Sequence, residues 1–226
     1  MREATAIDLI GPVRNSSKST EVFEALRAAI LSRKLVPGDA LKEAHLARMM
    51  HVSQVPVREA LLRLENLGLV CRVPDKGTTV TKLNRSEMVE LVQVRAHLED
   101  LAFRLAAKHI TPEILAQLNH AAKEIDITVS MDDYFAKGEA DLNFHRIVWH
   151  ASGNRSLEKT LQSLCEPYYA FVTQQRQRGR ERLQASMRPH DALVKALLTK
   201  KASAISAAVH VHISESASIP DHISEE

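Results

Sequence analysis

Residues 50–70 of the chain read MHVSQVPVREALLRLENLGLV, the pattern of an amphipathic helix with a defined start and end. Ser53 is a good N-cap, because its hydroxyl can accept a hydrogen bond from a free amide of the first turn. Pro56 falls in that turn, where its missing N–H costs little. Gly68 is placed to close the helix as a C-terminal cap. A buried stripe is predicted by the apolar residues at helical spacing, Val57, Ala60, Leu61, Leu64 and Leu67.

The segments on either side of this helix complete a small domain. Two helices are predicted before it, one ending at the turn Pro37-Gly38 and a short one from Lys42 to about Met50. The short helix is expected to present Leu46 and Met49 to a core. After Gly68, the strings LVCRV, PDKG and TTVT predict a strand, a turn and a strand. Three helices and a hairpin make a winged helix-turn-helix.

The polar residues at the start of the third helix predict a contact with DNA. Gln54 and Arg58 lie one turn apart on the solvent face, beside Ser53. In helix-turn-helix proteins this end of the helix meets base edges, where arginine suits guanine or phosphate and glutamine suits adenine or phosphate. The alternative is a solvated helix face. Lys76-Gly77 at the hairpin tip is a second, independent feature, because a wing can touch the minor groove or the backbone there.

The motifs LVPGDAL (35–41) and VSQVPVREAL (52–61), followed by LENLGLV and PDKGTTV, resemble the DNA-binding domain of the GntR family of bacterial transcription regulators. The resemblance runs through about 60 residues, in the family's order and spacing. It implies that Ser53, Gln54, Arg58 and Gly77 contact DNA, with Thr78 beside the wing tip as a further candidate. Gln54 stands where such proteins usually carry arginine, so the base preference at that position is open.

Residues 83–226 are predicted to be entirely helical. Asn84 and Glu87 form a capping-box pattern, Thr111 precedes a helix that starts with Pro112, and further helices follow at helical periodicity. We therefore expect a mainly α protein. Its predicted parts are a flexible tail at 1–17, a winged helix-turn-helix at 18–82 and an all-helical bundle at 83–226.

Composition narrows the classes of function. The 226 residues have a formal net charge of only +2, but the basic excess lies before residue 83, which weakly favours an anionic partner there. Two cysteines and no recognisable secretory signal predict a reduced, cytoplasmic setting. No apolar segment approaches the roughly 20 residues of a membrane span, so no membrane partner is expected.

Within the helical part, one pair of residues has the spacing of metal ligands on a helix. Asp141 and His145 are four residues apart, so a carboxylate and an imidazole project from one helix face. His190 precedes a periodic run and His212 lies on the last helix, so three helices can bring ligands to one interior point. His210 faces another direction than His212. On spacing alone, a surface pair or a satisfied core histidine remains the alternative.

The strings VQVRAHLEDLAFRLAAKHIT (92–111) and DLNFHRIVWHASGN (141–154) resemble the FCD effector domain of the FadR subfamily, at the smaller VanR-like size. This resemblance implies that Asp141, His145, His190 and His212 hold a divalent metal ion such as zinc, nickel or manganese. It also implies that Arg95 faces a carboxylate effector, the alternative being a helix-surface salt bridge to Glu99. Asn154 is a further effector candidate, the alternative being a helix cap.

Together these patterns predict a cytoplasmic, homodimeric transcription regulator that binds a pseudo-palindromic DNA operator. A small organic acid at the metal-containing pocket would be its effector. The resemblance to the family implies that the protein represses transcription and that the effector relieves this repression. A metal-ion sensor that uses the same site is one alternative. A metal-dependent hydrolase is another, against which stands the lack of a general base beyond the metal ligands. We therefore expect no catalytic residues.

Overall fold

The computed structural model describes residues 17–74, 77–131, 133–179 and 190–216. Over these ranges the chain forms nine helices and one two-stranded antiparallel sheet. The predicted fold class, a winged helix-turn-helix followed by an all-helical domain, is confirmed. Residues 1–16 of the predicted tail lie outside the described residues, and Ser17 begins the first helix. The division after residue 82 stays an interpretation.

The N-terminal domain packs three helices against a short hairpin. Its elements are α1 (Ser17–Leu31), α2 (Glu43–Met49), α3 (Gln54–Asn66), β1 (Val70–Val73) and β2 (Gly77–Val80). The strands pair with Val70 opposite Val80, and Ala40 forms an additional bridge to Thr79. One apolar core joins these elements, and its members include Val22, Leu26, Ile30, Val57, Leu61, Leu64, Val70 and Val80.

Local sequence signals explain most of these boundaries, with two corrections. Gly68 adopts a φ of 70° just after α3, and its N–H donates to the carbonyl of Glu65, so it ends the helix as predicted. Met49 is 67% exposed instead of buried, because the short α2 turns Ala47 into the core. Ser53 occupies the N-cap position of α3, but its hydroxyl makes no capping hydrogen bond.

The C-terminal domain contains six helices over the described residues. They are α4 (Arg85–Ala106), α5 (Pro112–Ser130), α6 (Tyr134–Ala151), α7 (Arg155–Gly179), α8 (Asp191–Thr199) and α9 (Ala202–Ser216). The predicted capping box of Asn84 and Glu87 opens α4, and Thr111 caps α5. Asp133 caps α6, because its side chain accepts a hydrogen bond from the amide of Ala136. None of the helices in the described ranges has the length and apolar character needed to span a bilayer.

Helix α6 lies between two apolar clusters of this domain. Phe144 and Val148 belong to the cluster shared with α5, α8 and α9. Leu142 and Trp149 belong to the cluster shared with α7 and part of α4. Because both clusters exclude water, a polar side chain on this helix that points between them is held in an apolar surrounding. This is the position of Asp141 and His145.

The two domains touch through α7. Gly68, at the end of α3, lies so close to this helix that an added Cβ atom would stand 3.3 Å from Pro167 Cγ. Ala170 of α7 is buried in the core of the winged-helix domain. A helix of the C-terminal domain therefore contributes directly to the packing of the N-terminal one.

Candidate functional site

The surface predicted to meet DNA is exposed. Ser53, Gln54 and Arg58 are all exposed at the N-terminal end of α3, on the side opposite its buried stripe. The Arg58 guanidinium forks onto Glu43 of α2, with Nε and Nη2 donating to Glu43 Oε2 at 3.0 and 2.9 Å. This contact directs the arginine side chain toward α2 in the structure. The Ser53 hydroxyl makes no capping hydrogen bond, and a contact of this residue with DNA stays a prediction.

The hairpin places a glycine beside this helix. Gly77 is exposed, has a φ of 77° and has no atom near its missing Cβ, so the backbone can approach a ligand closely there. Thr78 is half-buried, and its carbonyl accepts a hydrogen bond from the amide of Leu41. Residues 75 and 76, at the tip, lie outside the described residues. The hairpin therefore has the form of a wing.

Three elements bring the four predicted metal ligands together. Asp141 and His145 come from α6, His190 precedes α8 and His212 comes from α9. Their ligand atoms all lie within 4.8 Å of one another, and all four side chains are buried. We call these four residues the histidine cluster. His210 instead lies exposed near His97, with ring centroids 6.2 Å apart.

The electrostatics of the histidine cluster favour ligand atoms that are ready to bind a cation. Burial lowers the pKa of the His212 imidazole to about 2 and lowers that of His190 below its usual value, so both rings are neutral. Burial alone would raise the pKa of the Asp141 carboxyl, but Lys137 and His190 lower it well below its usual range. A metal ion requires neutral imidazoles and an ionised carboxylate, which is the state described.

Three ring nitrogens of the histidine cluster lack the partners that buried polar atoms normally have, Nδ1 and Nε2 of His145 and Nε2 of His190, and the two Nε2 atoms face the same carboxylate. Nε2 of His145 and Nε2 of His190 are fully buried, and neither has the geometry of a hydrogen bond to any described residue. Both point at Asp141 Oδ1, at 3.6 and 3.3 Å. An unpartnered buried polar atom is costly, and a bound cation would satisfy these two together with the carboxylate. The donor set of three imidazoles and one carboxylate fits a borderline divalent ion.

Comparison with known families agrees with this architecture. A model of the FCD domain matches residues 90–215, and a model of bacterial regulatory proteins of the gntR family matches residues 18–80. The chain belongs to the GntR family. It is a transcriptional regulator of the GntR type with an FCD domain, so the predicted resemblance is confirmed.

Several relatives share the architecture of this GntR regulator. The HTH-type transcriptional regulator McbR of Escherichia coli is 29% identical over 156 residues, which cover 69% of this chain and 67% of McbR. The HTH-type transcriptional repressor RspR of E. coli is 28% identical over 147 residues, 64% of this chain and 63% of RspR. The superposition on the solved structure of McbR covers 88% of this chain and 94% of the McbR chain, with a TM-score of 0.70 and 23% sequence identity. The superposition on the structure of a GntR regulator from Rhodococcus sp. RHA1 covers 89% of this chain and 96% of that protein's chain, with a TM-score of 0.71 and 22% sequence identity.

The two predicted effector residues of this GntR regulator lie in different surroundings. Arg95 is only 1% exposed, lies 3.3 Å from Glu99 and donates to the hydroxyl of Tyr169 at 3.0 Å. Its pair with Glu99 exists, but it is buried instead of on the helix surface. Asn154 is exposed, and its side chain accepts a hydrogen bond from the amide of Leu157, so it caps α7. An effector role for either residue stays a prediction.

Three residues next to the histidine cluster were not predicted as part of it. Glu99 Oε1 lies 3.1 Å from His145 Nδ1, which is the position of a carboxylate that orients a metal-binding imidazole. The Tyr169 hydroxyl donates to Asp141 Oδ1 at 2.9 Å, and Lys137 pairs with Asp141 Oδ2. The spacing of four residues between Lys137 and Asp141 could have indicated this pair. Nothing local in the sequence connects Tyr169 or Glu99 to the cluster.

Proposed function

We propose that this chain is a ligand-responsive bacterial transcription regulator that acts in the cytoplasm as a homodimer. Each winged-helix domain would bind one half of a pseudo-palindromic operator, because a two-fold symmetric dimer presents two equivalent recognition helices. The exposed polar start of α3 and the adjacent wing support this proposal. RspR is named a transcriptional repressor, and we extend that sign to this chain, with repression relieved by the effector.

The contacts of Arg58 suggest how DNA would be recognised. Glu43 holds the guanidinium by two donor nitrogens, which leaves the remaining N–H groups free for a guanine edge or a phosphate. Exposed ion pairs contribute little to stability, so this one can also open on binding. Gln54, the first residue of α3, offers a hydrogen-bond pattern without charge. Arg58 would therefore supply affinity, and Gln54 would set base preference.

A mobility-shift series tests the DNA assignment, using a duplex selected from a random library by the wild-type protein. Arg58→Ala should weaken binding by roughly ten- to a hundredfold at physiological salt, because one charged fork is lost. Gln54→Arg should change the preferred base more than the overall affinity. Arg63→Ala is the matched control, since Arg63 is on the same helix but lies over the ring of Phe23. Equal binding by Arg58→Ala and wild type would refute the assignment.

We also propose that the histidine cluster holds a divalent metal ion, zinc, nickel or manganese, as part of a pocket for a small carboxylate effector. The observation that carries this proposal is the pair of buried, unpartnered ring nitrogens that converge on Asp141. When bound, the ion would act as a Lewis acid with open positions for an oxygen ligand of the effector. Glu99 and Tyr169 would hold His145 and Asp141 in place.

Elemental analysis and melting curves test the metal site. The purified chain should contain about one divalent ion, and His145→Ala should lose both the ion and the stabilisation that the ion contributes. His150→Ala is the matched control, because His150 lies on the same helix with a side chain that is 85% exposed. It should keep the ion. A metal-free wild-type protein whose melting does not change with zinc or chelator would rule the site out.

A metal-ion sensor is the second candidate function, favoured because four protein ligands already converge without an effector. Zinc alone, without any acid, would then change operator binding. An enzyme is disfavoured. Glu99, the carboxylate next to the cluster, is held by Arg95 and by the indole N–H of Trp149 at 3.0 Å, so it is not a free general base.

A further inference from the structure

A cluster of ion pairs joins α1 of the winged-helix domain to α6 and α7 of the FCD domain. The Arg27 guanidinium donates to both oxygens of Glu139, at 2.9 and 3.0 Å, and to Glu166 Oε2, at 3.0 and 3.1 Å. One side chain therefore forks onto carboxylates of two different helices in the other domain. Arg27 is 11% exposed and Glu166 is completely buried. Glu139, with 32% exposure, closes the cluster on the solvent side.

The same cluster is connected to the histidine cluster by adjacent residues. Arg146 also pairs with Glu166, and it directly follows His145 in the chain. Glu166 lies three residues before Tyr169, which donates to Asp141 Oδ1. We call Arg27, Glu139, Arg146 and Glu166 the interdomain ion cluster. The charges of its two arginines and two glutamates cancel.

Helix α6 carries both clusters on different faces. Glu139 and Arg146 are seven residues apart, which returns to nearly the same side of a helix. Asp141 and His145 are four residues apart and lie roughly opposite, because two residues turn a helix by about 200°. Any shift or rotation of α6 that accompanies filling of the histidine cluster would therefore also move Glu139 and Arg146.

We propose that Arg27 is a positioning residue that holds the winged-helix domain against α6 and α7 and passes movements of α6 to it. The physical reason is that Glu166 has no access to water, so a buried carboxylate separated from its cations would be strongly destabilised. When α6 moves, α1 must follow or the cluster must open as a unit. Packing of Gly68 on Pro167 reinforces the contact. The relay rests on the proposed metal site, whereas the positioning role does not.

Hydrogen–deuterium exchange on the full chain tests the positioning role without any metal. Removing the fork by Arg27→Gln should speed exchange of α1 amides and of residues 160–172 of α7 by at least about tenfold. Glu139→Gln should do the same to a smaller extent, and it keeps the test valid if Arg27→Gln fails to fold. Arg104→Gln is the control, because it breaks a pair within α4 whose arginine side chain is 40% exposed. Unchanged exchange of α1 in both test variants would overturn the proposal.

The same measurement with added zinc tests the relay. In the wild type, zinc should slow exchange in α6, α8 and α9 and also in α1. In Arg27→Gln the slowing should remain in α6, α8 and α9 and disappear from α1. Slowing of α1 that persists in both variants would overturn the relay. If zinc slows exchange nowhere, the metal site fails, and the metal-free comparison still decides whether Arg27 positions the domain.

Discussion

Helix α4 carries two arginine–carboxylate pairs with the same spacing in opposite surroundings. Arg95 and Glu99 have side chains that are 1% and 0% exposed. Arg104 and Asp100, 3.0 Å apart, are 40% and 15% exposed. Replacing each arginine by methionine removes the charge and keeps most of the length. We predict that the two replacements differ several-fold in their cost to the free energy of unfolding.

The magnitude follows from what each replacement leaves behind. Arg95→Met removes the arginine from the buried Glu99 carboxylate, which keeps only His145 and the Trp149 indole as partners, and it removes the donor to Tyr169. Breaking one side of a buried pair costs about 3–5 kcal/mol, whereas an exposed pair contributes less than about 1 kcal/mol. For a chain of this size, 1 kcal/mol corresponds to about 2–4 °C in melting temperature. Arg95→Met should therefore lower the melting temperature by roughly 6–20 °C, and Arg104→Met by less than about 4 °C.

Urea unfolding followed by circular dichroism measures the free energy of unfolding of both variants. Excess chelator is added so that no bound ion contributes. The double variant Arg95→Met with Glu99→Gln should recover part of the loss, because it removes the unpaired charge. A loss below about 1 kcal/mol for Arg95→Met, equal to that of Arg104→Met, would refute the buried pair. It would instead favour an arginine that is free to bind an effector carboxylate.

Two further predictions concern the domain contact and the thiols. Gly68→Ala should lower stability and loosen the domain contact, because its φ of 70° disfavours a side chain and its Cβ would lie 3.3 Å from Pro167. Gly38 is the control, because it has a φ of 90° but no atom within 4 Å of an added Cβ. In calorimetry, Gly38→Ala should therefore show only the backbone cost. If Gly38→Ala and Gly68→Ala lowered the stability equally, the packing argument for Gly68 would be contradicted. Burial raises the pKa of the Cys165 thiol to about 12, so its thiolate fraction at pH 8 is on the order of 10⁻⁴. Mass spectrometry after native treatment with iodoacetamide should find only Cys71 alkylated; two labels per native chain would contradict this burial.

The features predicted correctly from the sequence are those that depend on neighbouring residues. Caps at Asn84 and Thr111 were identifiable because the hydrogen bonds they make span only three residues. The end of α3 at Gly68 follows from one residue's backbone freedom. Helical spacing predicted that Asp141 and His145 lie on one face, and their side chains do lie together. Their union with His190 and His212 came from a family resemblance, since no local pattern connects residues so far apart.

The features that the sequence did not reveal depend on tertiary packing. Met49 has the right spacing for a core residue, but α2 has only seven residues and turns Ala47 inward. The spacing of Arg95 and Glu99 equals that of an exposed helix pair, but α7 covers the arginine and α6 covers the glutamate. Arg27 and Glu166 are 139 residues apart, so a single sequence contains no signal for their contact. Periodicity reports which face is apolar, and it does not report which polar residues the neighbouring helices will cover.

Charge balance explains why the proposed function pairs a metal ion with an acid. Around the histidine cluster, the cations Arg95 and Lys137 are matched by the anions Glu99 and Asp141, and burial keeps His190 and His212 neutral. A divalent ion bound there would leave two positive charges among buried residues, and uncompensated buried charge costs several kcal/mol. A carboxylate oxygen on an open position of the ion would offset much of that cost, and a dicarboxylate would balance it fully. The ion and an acid effector should therefore bind cooperatively, each tightening the other by the same factor.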